Sequence, residues 1–335
     1  MRNSIAAVFL AFIAGCTSAP AQGPDQLVIY SGRSDQFVRP VANRFTEQTG
    51  IPVVLHAGSA TELLSKLRAE GSRTEADIYL SNDAGTLQLG EDAGLFSELP
   101  LLLTQVVPAN YRGADNTWVG LSARARVLVV NTDRVADAAP TSVFDLADPR
   151  WRGQLGITHS ANESFVAGLS VYMAKAGPEA AERWLRGLKA NVGSDVYTRH
   201  GAVVADVAAG RRAVGLVNHY YVFRHLAESP DAPLRIVVPD QGEGGLGVAW
   251  NIAGIAVSRH ARNRAAAEAF VAFVLSEEGQ RIFADANMEY PTRNDVAAHP
   301  ALPASGDIRV ADVPLGELAA RRGVAIELID RVGMP

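Results

Sequence analysis

Gln26-Leu-Val-Ile-Tyr-Ser31, followed by Gly32, opens the stretch of this 335-residue chain that decides its fold. The short apolar run predicts a buried strand, which the glycine ends. A helical pattern follows at Phe37–Thr49, then a strand at Pro52–His56 and a helix at Thr61–Glu70. Strands that alternate with helices in this way predict an α/β fold built on a parallel sheet.

Polar loops follow the predicted strands at one end of the sheet. A third strand, Ala76–Leu80, continues the alternation and leads into Ser81-Asn-Asp83. In parallel sheets, ligands bind beyond the carboxyl ends of the strands, so these loops are candidates for a binding site. Ser59 and Glu62 also have the spacing of a capping box. The candidate loops are 31–34, 58–61, 81–83, 158–164 and 218–221.

Two adjacent tyrosines, Tyr220 and Tyr221, end the apolar run that begins at Val214. Neighbouring side chains point to opposite faces of a strand, but in the first turn of a helix they diverge by only about 100°. Asn218 is a favourable N-cap, so a strand-to-helix junction could aim both phenols into one cleft. Paired phenolates are hard oxygen donors that suit ferric iron. The dipeptide alone is better explained by two aromatic rings that cover a helix face.

Two later apolar runs, Val127–Asn131 and Asn251–Ser258, are predicted to be strands that cross between two lobes. The chain is long enough for two lobes rather than one core. A C-terminal helix at Leu315–Val332 is expected to pack on the second lobe. The predicted first lobe comprises residues 26–129 and 251–300, and the second comprises residues 130–250 and 301–335.

The amino terminus has the pattern of an export signal. Arg2 precedes the apolar segment Ile5–Ala14, which is too short to span a bilayer, and Cys16 follows a small-residue pattern. Residues 1–15 are therefore predicted to be a lipoprotein signal peptide and residues 16–25 a tether, with Cys16 lipidated. The alternative is an ordinary signal peptide cleaved nearby. Cys16 is the only cysteine, so neither a disulfide nor a cysteine metal ligand is expected.

Charge and motifs exclude several classes of function. The net charge is −5 at pH 7, and acidic and basic residues are mixed along the chain, which argues against a nucleic-acid partner. The sequence contains no Gly-x-Ser-x-Gly elbow, P-loop or His-Glu-x-x-His motif, and its Ser, His and Asp residues have no recognisable catalytic spacing. A non-enzymatic protein is therefore predicted.

Several short motifs together resemble one family, the periplasmic ferric-iron-binding proteins of bacterial ABC importers. Each motif is weak alone, but their order and spacing are specific, and the resemblance covers nearly the whole chain after the signal. It implies a type II periplasmic-binding-protein fold, with two lobes, two crossover strands as the hinge, and a ligand cleft between the lobes. The motifs are Tyr30-Ser-Gly-Arg33, Ala76-Asp-Ile-Tyr-Leu-Ser-Asn-Asp-Ala-Gly85, Trp118-Val-Gly-Leu-Ser122, Asp148-Pro-Arg-Trp-Arg-Gly153, Val217-Asn-His-Tyr-Tyr221, Asp240-Gln-Gly242 and Asn287-Met-Glu-Tyr-Pro291.

The resemblance implies a receptor that captures ferric iron outside the cytoplasm and delivers it to the permease and ATPase of an ABC importer. A monomer is expected, in the periplasm, held to the membrane only through lipidated Cys16. The alternative is a receptor of the same fold for a phosphonate or other organophosphate, thiamine or a polyamine. A polyamine site needs carboxylates that the loops lack, and an organophosphate leaves the tyrosine pair without a metal.

In that family adjacent tyrosines bind the iron, so Tyr220 and Tyr221 are the implied metal ligands. This chain has Ser34 where some members have histidine, and Asn82 where many have glutamate or glutamine. Some members also have a third tyrosine near the loop that here begins at Asn162. The resemblance therefore implies that an exogenous anion or water completes the site. The Tyr30-Ser-Gly-Arg33 loop resembles that of members that use carbonate, so carbonate or bicarbonate is the expected anion.

Arg33 is expected to hold this anion through both arms of its guanidinium. Arg124 is an equally good candidate for the anion site or for an ordinary salt bridge between lobes. Asn82 and Asn162 are equally well explained as helix caps, and His219 is expected at the surface. The predicted anion- or ligand-binding residues are Arg33, Ser34, Ser59, Asn82, Arg124 and Asn162.

Overall fold

This computed structural model describes residues 26–135 and 138–335. The predicted signal peptide, the tether and Cys16 lie outside the described residues. Within them, no helix is both long enough and apolar enough to cross a membrane. The strands are β1 (Leu27–Ser31), β2 (Val53–Ala57), β3 (Ile78–Ser81), β4 (Trp118–Asn131), β5 (Leu155–Gly156), β6 (Val214–Asn218), β7 (Leu234–Val237), β8 (Trp250–Val257) and β9 (Tyr290–Pro291).

Twelve α-helices and several short 3₁₀ turns connect these strands in the part of the chain that is described. The helices are α1 (Asp35–Thr49), α2 (Ala60–Glu70), α3 (Ala84–Asp92), α4 (Leu101–Thr104), α5 (Thr132–Val135), α6 (Glu163–Ala176), α7 (Pro178–Val192), α8 (His200–Ala208), α9 (His219–Glu228), α10 (Arg264–Val274), α11 (Glu277–Asn287) and α12 (Glu317–Val332).

The strand–helix alternation predicted for residues 26–83 is confirmed. β1 pairs in parallel with both β2 and β3, as expected for strands joined by helical crossovers. The rest of the sheet differs, because β8 pairs antiparallel with β3 and with β4. The full order is β2-β1-β3-β8-β4-β6-β5, with β7 and β9 also paired to β4. The sheet is therefore mixed rather than wholly parallel.

Strand β4 belongs to two lobes. Its first half, Trp118–Ala125, pairs with β8, whereas its second half, Arg126–Val130, pairs with β6. We call the part built on β1, β2, β3 and β8 the first lobe, and the part built on β5, β6 and β7 the second lobe. All 14 residues of β4 are buried, including two arginines that interrupt its apolar pattern. Those arginines explain why the sequence indicated a crossing strand only from Val127.

Each lobe is a layered α/β unit. In the first lobe, α1, α10 and α11 cover an apolar cluster that includes Phe45 and Phe270, whose rings meet edge to face at 5.1 Å. In the second lobe, α6 and α7 pack around Trp184. Helix α12 packs on α6 and α7 and also on α3 of the first lobe. The assignment of residues 301–335 to the second lobe stays a prediction, since α12 contacts both lobes.

A glycine in the first motif allows two ligand loops to approach each other. A Cβ atom added at Gly32 would lie 2.5 Å from the Cβ of Ala60, at the start of α2. Real Cβ atoms do not approach so closely, so any larger residue must push α2 away from the end of β1. Gly32 therefore holds the loop before α2 against the loop that carries Arg33.

Candidate metal centre

The tyrosine pair lies at a strand-to-helix junction, as the sequence predicts. Strand β6 ends at Asn218 and α9 begins at the next residue, so Tyr220 and Tyr221 occupy its first turn. Their ring centroids are 4.5 Å apart with the ring planes inclined at 36°. Tyr220 is 7% exposed and Tyr221 is half-buried. Both phenols thus lie in one place, with the geometry that a helix turn gives to consecutive residues.

Asn218 stabilises this junction in a way that differs from the predicted cap. Its side chain makes no capping hydrogen bond to α9. Instead its Nδ2 donates to the Ser164 hydroxyl at 3.1 Å and to the Tyr220 hydroxyl at 3.3 Å, while its Oδ1 accepts from Arg126 Nη1 at 3.2 Å. The amide therefore orients the Tyr220 phenol toward Ser164, at the start of α6.

Aromatic neighbours enclose the two phenols from both lobes. The ring of Phe37, on α1, meets Tyr220 and Tyr221 edge to face at 5.8 and 6.5 Å. The ring of His200 lies 5.1 Å from Tyr221 on the other side. Burial, and next the adjacent Tyr220, raise the pKa of Tyr221, whereas the charge of Arg33 opposes this shift. Tyr221 is therefore a neutral phenol until a cation displaces its proton.

Arg33 is buried against the carboxylate of Glu289, which belongs to the motif 287–291 but was not among the predicted ligand residues. Its Nη2 lies 2.9 and 3.0 Å from the two carboxylate oxygens of Glu289, and its Nη1 donates to Ser122 at 3.4 Å. Burial lowers the pKa of Arg33, but the charge and hydrogen bond of Glu289, together with Tyr220 and Tyr221, outweigh it, and the pKa is raised. The two terminal nitrogens of Arg33, which were predicted to bind an anion, are thus already bonded to protein side chains. Only Nε lacks a partner within the described part of the chain.

Arg124 and Arg126 have nitrogens that remain free in the cleft. They are two residues apart on β4, so their side chains lie on the same face of the strand. Both are buried, and among the described residues Arg124 Nη1 and Arg126 Nη2 have no hydrogen-bond partner. Burial lowers the pKa of Arg126 to about 10. Two guanidiniums with unsatisfied donors are a strong attraction for an anion.

These two arginines line a cavity of about 20 Å³ between the crossover strands and α6. This is about the room that one water-sized group needs. Ser164, Gly168 and Asn218 complete the nearest walls. The cavity therefore adjoins Asn218 and Ser164, the residues that orient Tyr220.

The other predicted ligand residues are exposed, cap a helix, or have an unpaired side-chain oxygen. Ser34 is exposed, and its side chain makes no cap bond to α1. Ser59 caps α2 through a bond of 3.5 Å from the Glu62 amide, and Asn162 caps α6 by accepting from the Ser164 amide at 3.0 Å. Asn82 is half-buried, and its Oδ1 has no partner among the described residues. Asn162 thus has the capping role that was one of its two explanations.

The cleft is closed across the loops that carry Ser59 and Asn162. The backbone amide of Ala60, in the first lobe, donates to the Glu163 carboxylate of the second lobe at 3.1 Å. Burial, and then the neighbouring charge of Asp83, raise the pKa of Glu163. The contact places a carboxylate at the positive end of α2, where a helix favours negative charge. No pattern in the sequence indicated Glu163.

His219 is buried, so its predicted surface position is wrong. It is 2% exposed, and its Nδ1 accepts a hydrogen bond of 3.1 Å from the Ala125 amide of β4. Burial lowers the pKa of His219 to about 4, so the ring is neutral. The first turn of α9 lies against the crossover strand, and this long-range packing has no signature in the local sequence.

Comparisons with known proteins identify a family and several relatives. The profile of the family described as bacterial extracellular solute-binding protein matches residues 75–312. The chain is 34% identical to Iron uptake protein A2 of a Synechocystis species, over 84% of this chain and 83% of that protein. It is 30% identical to the Fe(3+)-binding periplasmic protein of Serratia marcescens, over 94% of this chain and 93% of that one.

The fold is also similar to that of solved structures. Iron-bound HitA from Pseudomonas aeruginosa superposes with a TM-score of 0.87 at 29% identity, covering 93% of this chain and all of the other. The predicted two-lobed fold is thereby confirmed.

Proposed function

This chain belongs to the bacterial extracellular solute-binding protein family, and on that premise we propose that it captures ferric iron outside the cytoplasm and delivers it to an ABC importer. The observation that carries the proposal is the pair of adjacent phenols, Tyr220 and Tyr221, in a cleft that two lobes close. Iron enters as the transported ligand, and the protein supplies binding rather than catalysis. The permease and ATPase of the importer are the partners that receive it.

The tyrosine oxygens bind the ion after losing their protons, because coordination requires the deprotonated form of a ligand. Asn218 holds the Tyr220 phenol in place, and Phe37 covers both rings. Asn82 and Ser59 lie on loops that face the second lobe and close over the ion. The test is a titration of the iron-free protein with a ferric chelate, monitored by the visible charge-transfer band of tyrosinate–iron(III).

We further propose that an anion of the carbonate class completes the iron site beside Arg124 and Arg126. Two phenolates leave several positions open on a six-coordinate ion. The free nitrogens of these arginines support the anion, whereas Arg33 is engaged with Glu289. Arg33 therefore contributes positive charge without direct contact to the anion, and Arg124 binds the anion directly.

Arg124→Gln is expected to weaken ferric binding by roughly tenfold to a hundredfold, since one charge-assisted hydrogen bond contributes about 1.5–3 kcal/mol. Affinity is measured by competition with a chelator, with bicarbonate present and with bicarbonate removed. The matched control is Arg186→Gln, an exposed arginine paired with Glu182 on α7. Equal affinity in all conditions, for both variants and wild type, rules out this anion site.

One observation favours a second candidate function, a receptor for an organophosphate. The free Nη atoms of Arg124 and Arg126 could bind a phosphoryl group with no metal present. Calorimetry of the iron-free protein with a phosphate monoester separates the two functions. Binding of the ester that is unaffected by Tyr220→Phe favours the organophosphate, whereas binding that depends on iron favours the iron receptor.

We propose that Cys16 carries the lipid that holds the protein at the outer face of a membrane. The support is the sequence pattern before Cys16 and the periplasmic relatives. Multiple acylation is expected, because one saturated chain alone gives only marginal membrane binding. Mass spectrometry of the native amino terminus should find an acylated Cys16. An unmodified terminus beyond residue 16 would mean that the protein is free in the periplasm.

A further inference from the structure

We infer that Glu289 is a positioning residue of the ferric site, which sets the charge of the cleft and fixes the Arg33 guanidinium beside the tyrosine pair. This inference rests on the proposed function, and it concerns a residue outside the ligand set. It follows from three observations: the burial of Glu289, its partners, and the excess of buried cations around the tyrosine pair.

The backbone directs Glu289 into the protein. Helix α11 ends at Asn287, and Met288 adopts a left-handed conformation with φ 55° and ψ 39° while its amide caps the helix. Such a conformation is unfavourable for a non-glycine residue and persists where surrounding structure requires it. The same turn reaches the aromatic cover of the site, because Asn287 Nδ2 donates to the Phe37 carbonyl at 3.1 Å.

Glu289 is fully buried, and its carboxylate bonds to Arg33 and Ser122. Its carboxylate accepts from Arg33 Nη2 at 2.9 and 3.0 Å and from the Ser122 hydroxyl at 2.7 Å. These bonds hold the Arg33 guanidinium 5.2 Å from the centre of the Phe37 ring, and that ring contacts Tyr220. Arg33 is thus fixed beside the phenols, with its Nη2 bonded to the Glu289 carboxylate.

Glu289 offsets part of the positive charge that is buried in the cleft. Arg33, Arg124 and Arg126 are all buried there, and Glu289 makes the only ion pair with any of these three among the described residues. Glu289 offsets one of these three guanidiniums, and the other two leave positive charge that attracts an anion. Without the carboxylate charge, the positive charge of Arg33 is no longer offset and repels the trivalent ion. This repulsion is strong where water is excluded. Loss of the carboxylate charge also strengthens the binding of any anion. Ferric affinity and anion affinity are therefore expected to change in opposite directions.

Glu289→Gln tests this inference, because it keeps the size of the side chain and removes its charge. Ferric affinity of the full-length protein is measured from the charge-transfer band in competition with a chelator. Anion affinity is measured on the iron-free protein with inorganic phosphate. We expect ferric affinity to fall at least tenfold and phosphate affinity to rise severalfold. The double variant Arg33→Gln/Glu289→Gln restores the net charge and should recover most of the ferric affinity.

The matched control is Glu91→Gln, a buried glutamate on α3 that bonds to Thr117 and Gln88 away from the cleft. It should change neither affinity. If Glu289→Gln lowers both affinities together, or changes neither, the inference is overturned. If wild-type protein shows no charge-transfer band, the proposed function fails and the inference fails with it, whereas a normal band that Glu289→Gln leaves unaltered overturns the inference alone.

Discussion

The double variant Tyr220→Phe/Tyr221→Phe is expected to lose ferric binding and the visible charge-transfer band completely. Phenylalanine keeps the ring packing against Phe37 and removes only the oxygen donors. Each single variant should lose on the order of 100-fold in affinity, about 2.8 kcal/mol, because one phenolate then remains. The measurement is a titration with a ferric chelate at fixed pH, followed by absorbance.

Tyr290→Phe is the control for this experiment. Its ring lies 5.0 Å from His219, close to the ligand pair but outside it. Burial raises the pKa of Tyr290 to about 12, so it is a neutral phenol near the same cleft. This variant should keep the band at full strength. A double variant that retains the band, or a Tyr290→Phe variant that loses it, would move the ligand assignment away from Tyr220 and Tyr221.

Ferric affinity is expected to fall by about 100-fold for each unit of pH decrease near neutrality, because two phenols must lose their protons. A free phenol has a pKa near 10, and burial raises that of Tyr221 further, so Tyr221 is protonated in the iron-free protein below this range. Protons and iron therefore compete directly, and acid favours release. The measurement is chelator competition between pH 6 and 8, corrected for the chelator.

Proton counting checks the same mechanism independently. In a weakly buffered solution, wild type should release one more proton for each iron bound than Tyr221→Phe does. The difference between the two proteins cancels protons that come from the chelate or from bicarbonate. An equal release from both proteins would show that Tyr221 does not coordinate the ion as phenolate.

The sequence predicts the parts of this fold that depend on local patterns. Apolar periodicity marks β1, β2 and β3 and the helices between them, because each lies in one continuous segment. The part of β4 before Val127 is missed because Arg124 and Arg126 break its apolar run, although both are buried. Their burial depends on a cleft that forms only when two lobes meet.

The candidate site likewise combines residues that local sequence patterns predict with residues that only long-range packing brings together. Tyr220 and Tyr221 are neighbours in sequence, so a single helix turn brings them together. Glu289 is 256 residues from Arg33, and no spacing rule connects them. Arg33 was correctly placed at the end of β1, but its partner could not be predicted. His219 was misplaced because its burial comes from β4, which is distant in sequence.

The continuity of β4 has a mechanical consequence. Arg124 is paired in register with Asn251 of β8, and Arg126 with Asn218 of β6, so the two arginines belong to different lobes although one residue separates them. Opening the cleft must bend or twist the strand between them. Such a change would separate the two guanidiniums that line the shared cavity. If iron and the proposed anion bind here together, opening at this hinge is expected to release both in one movement.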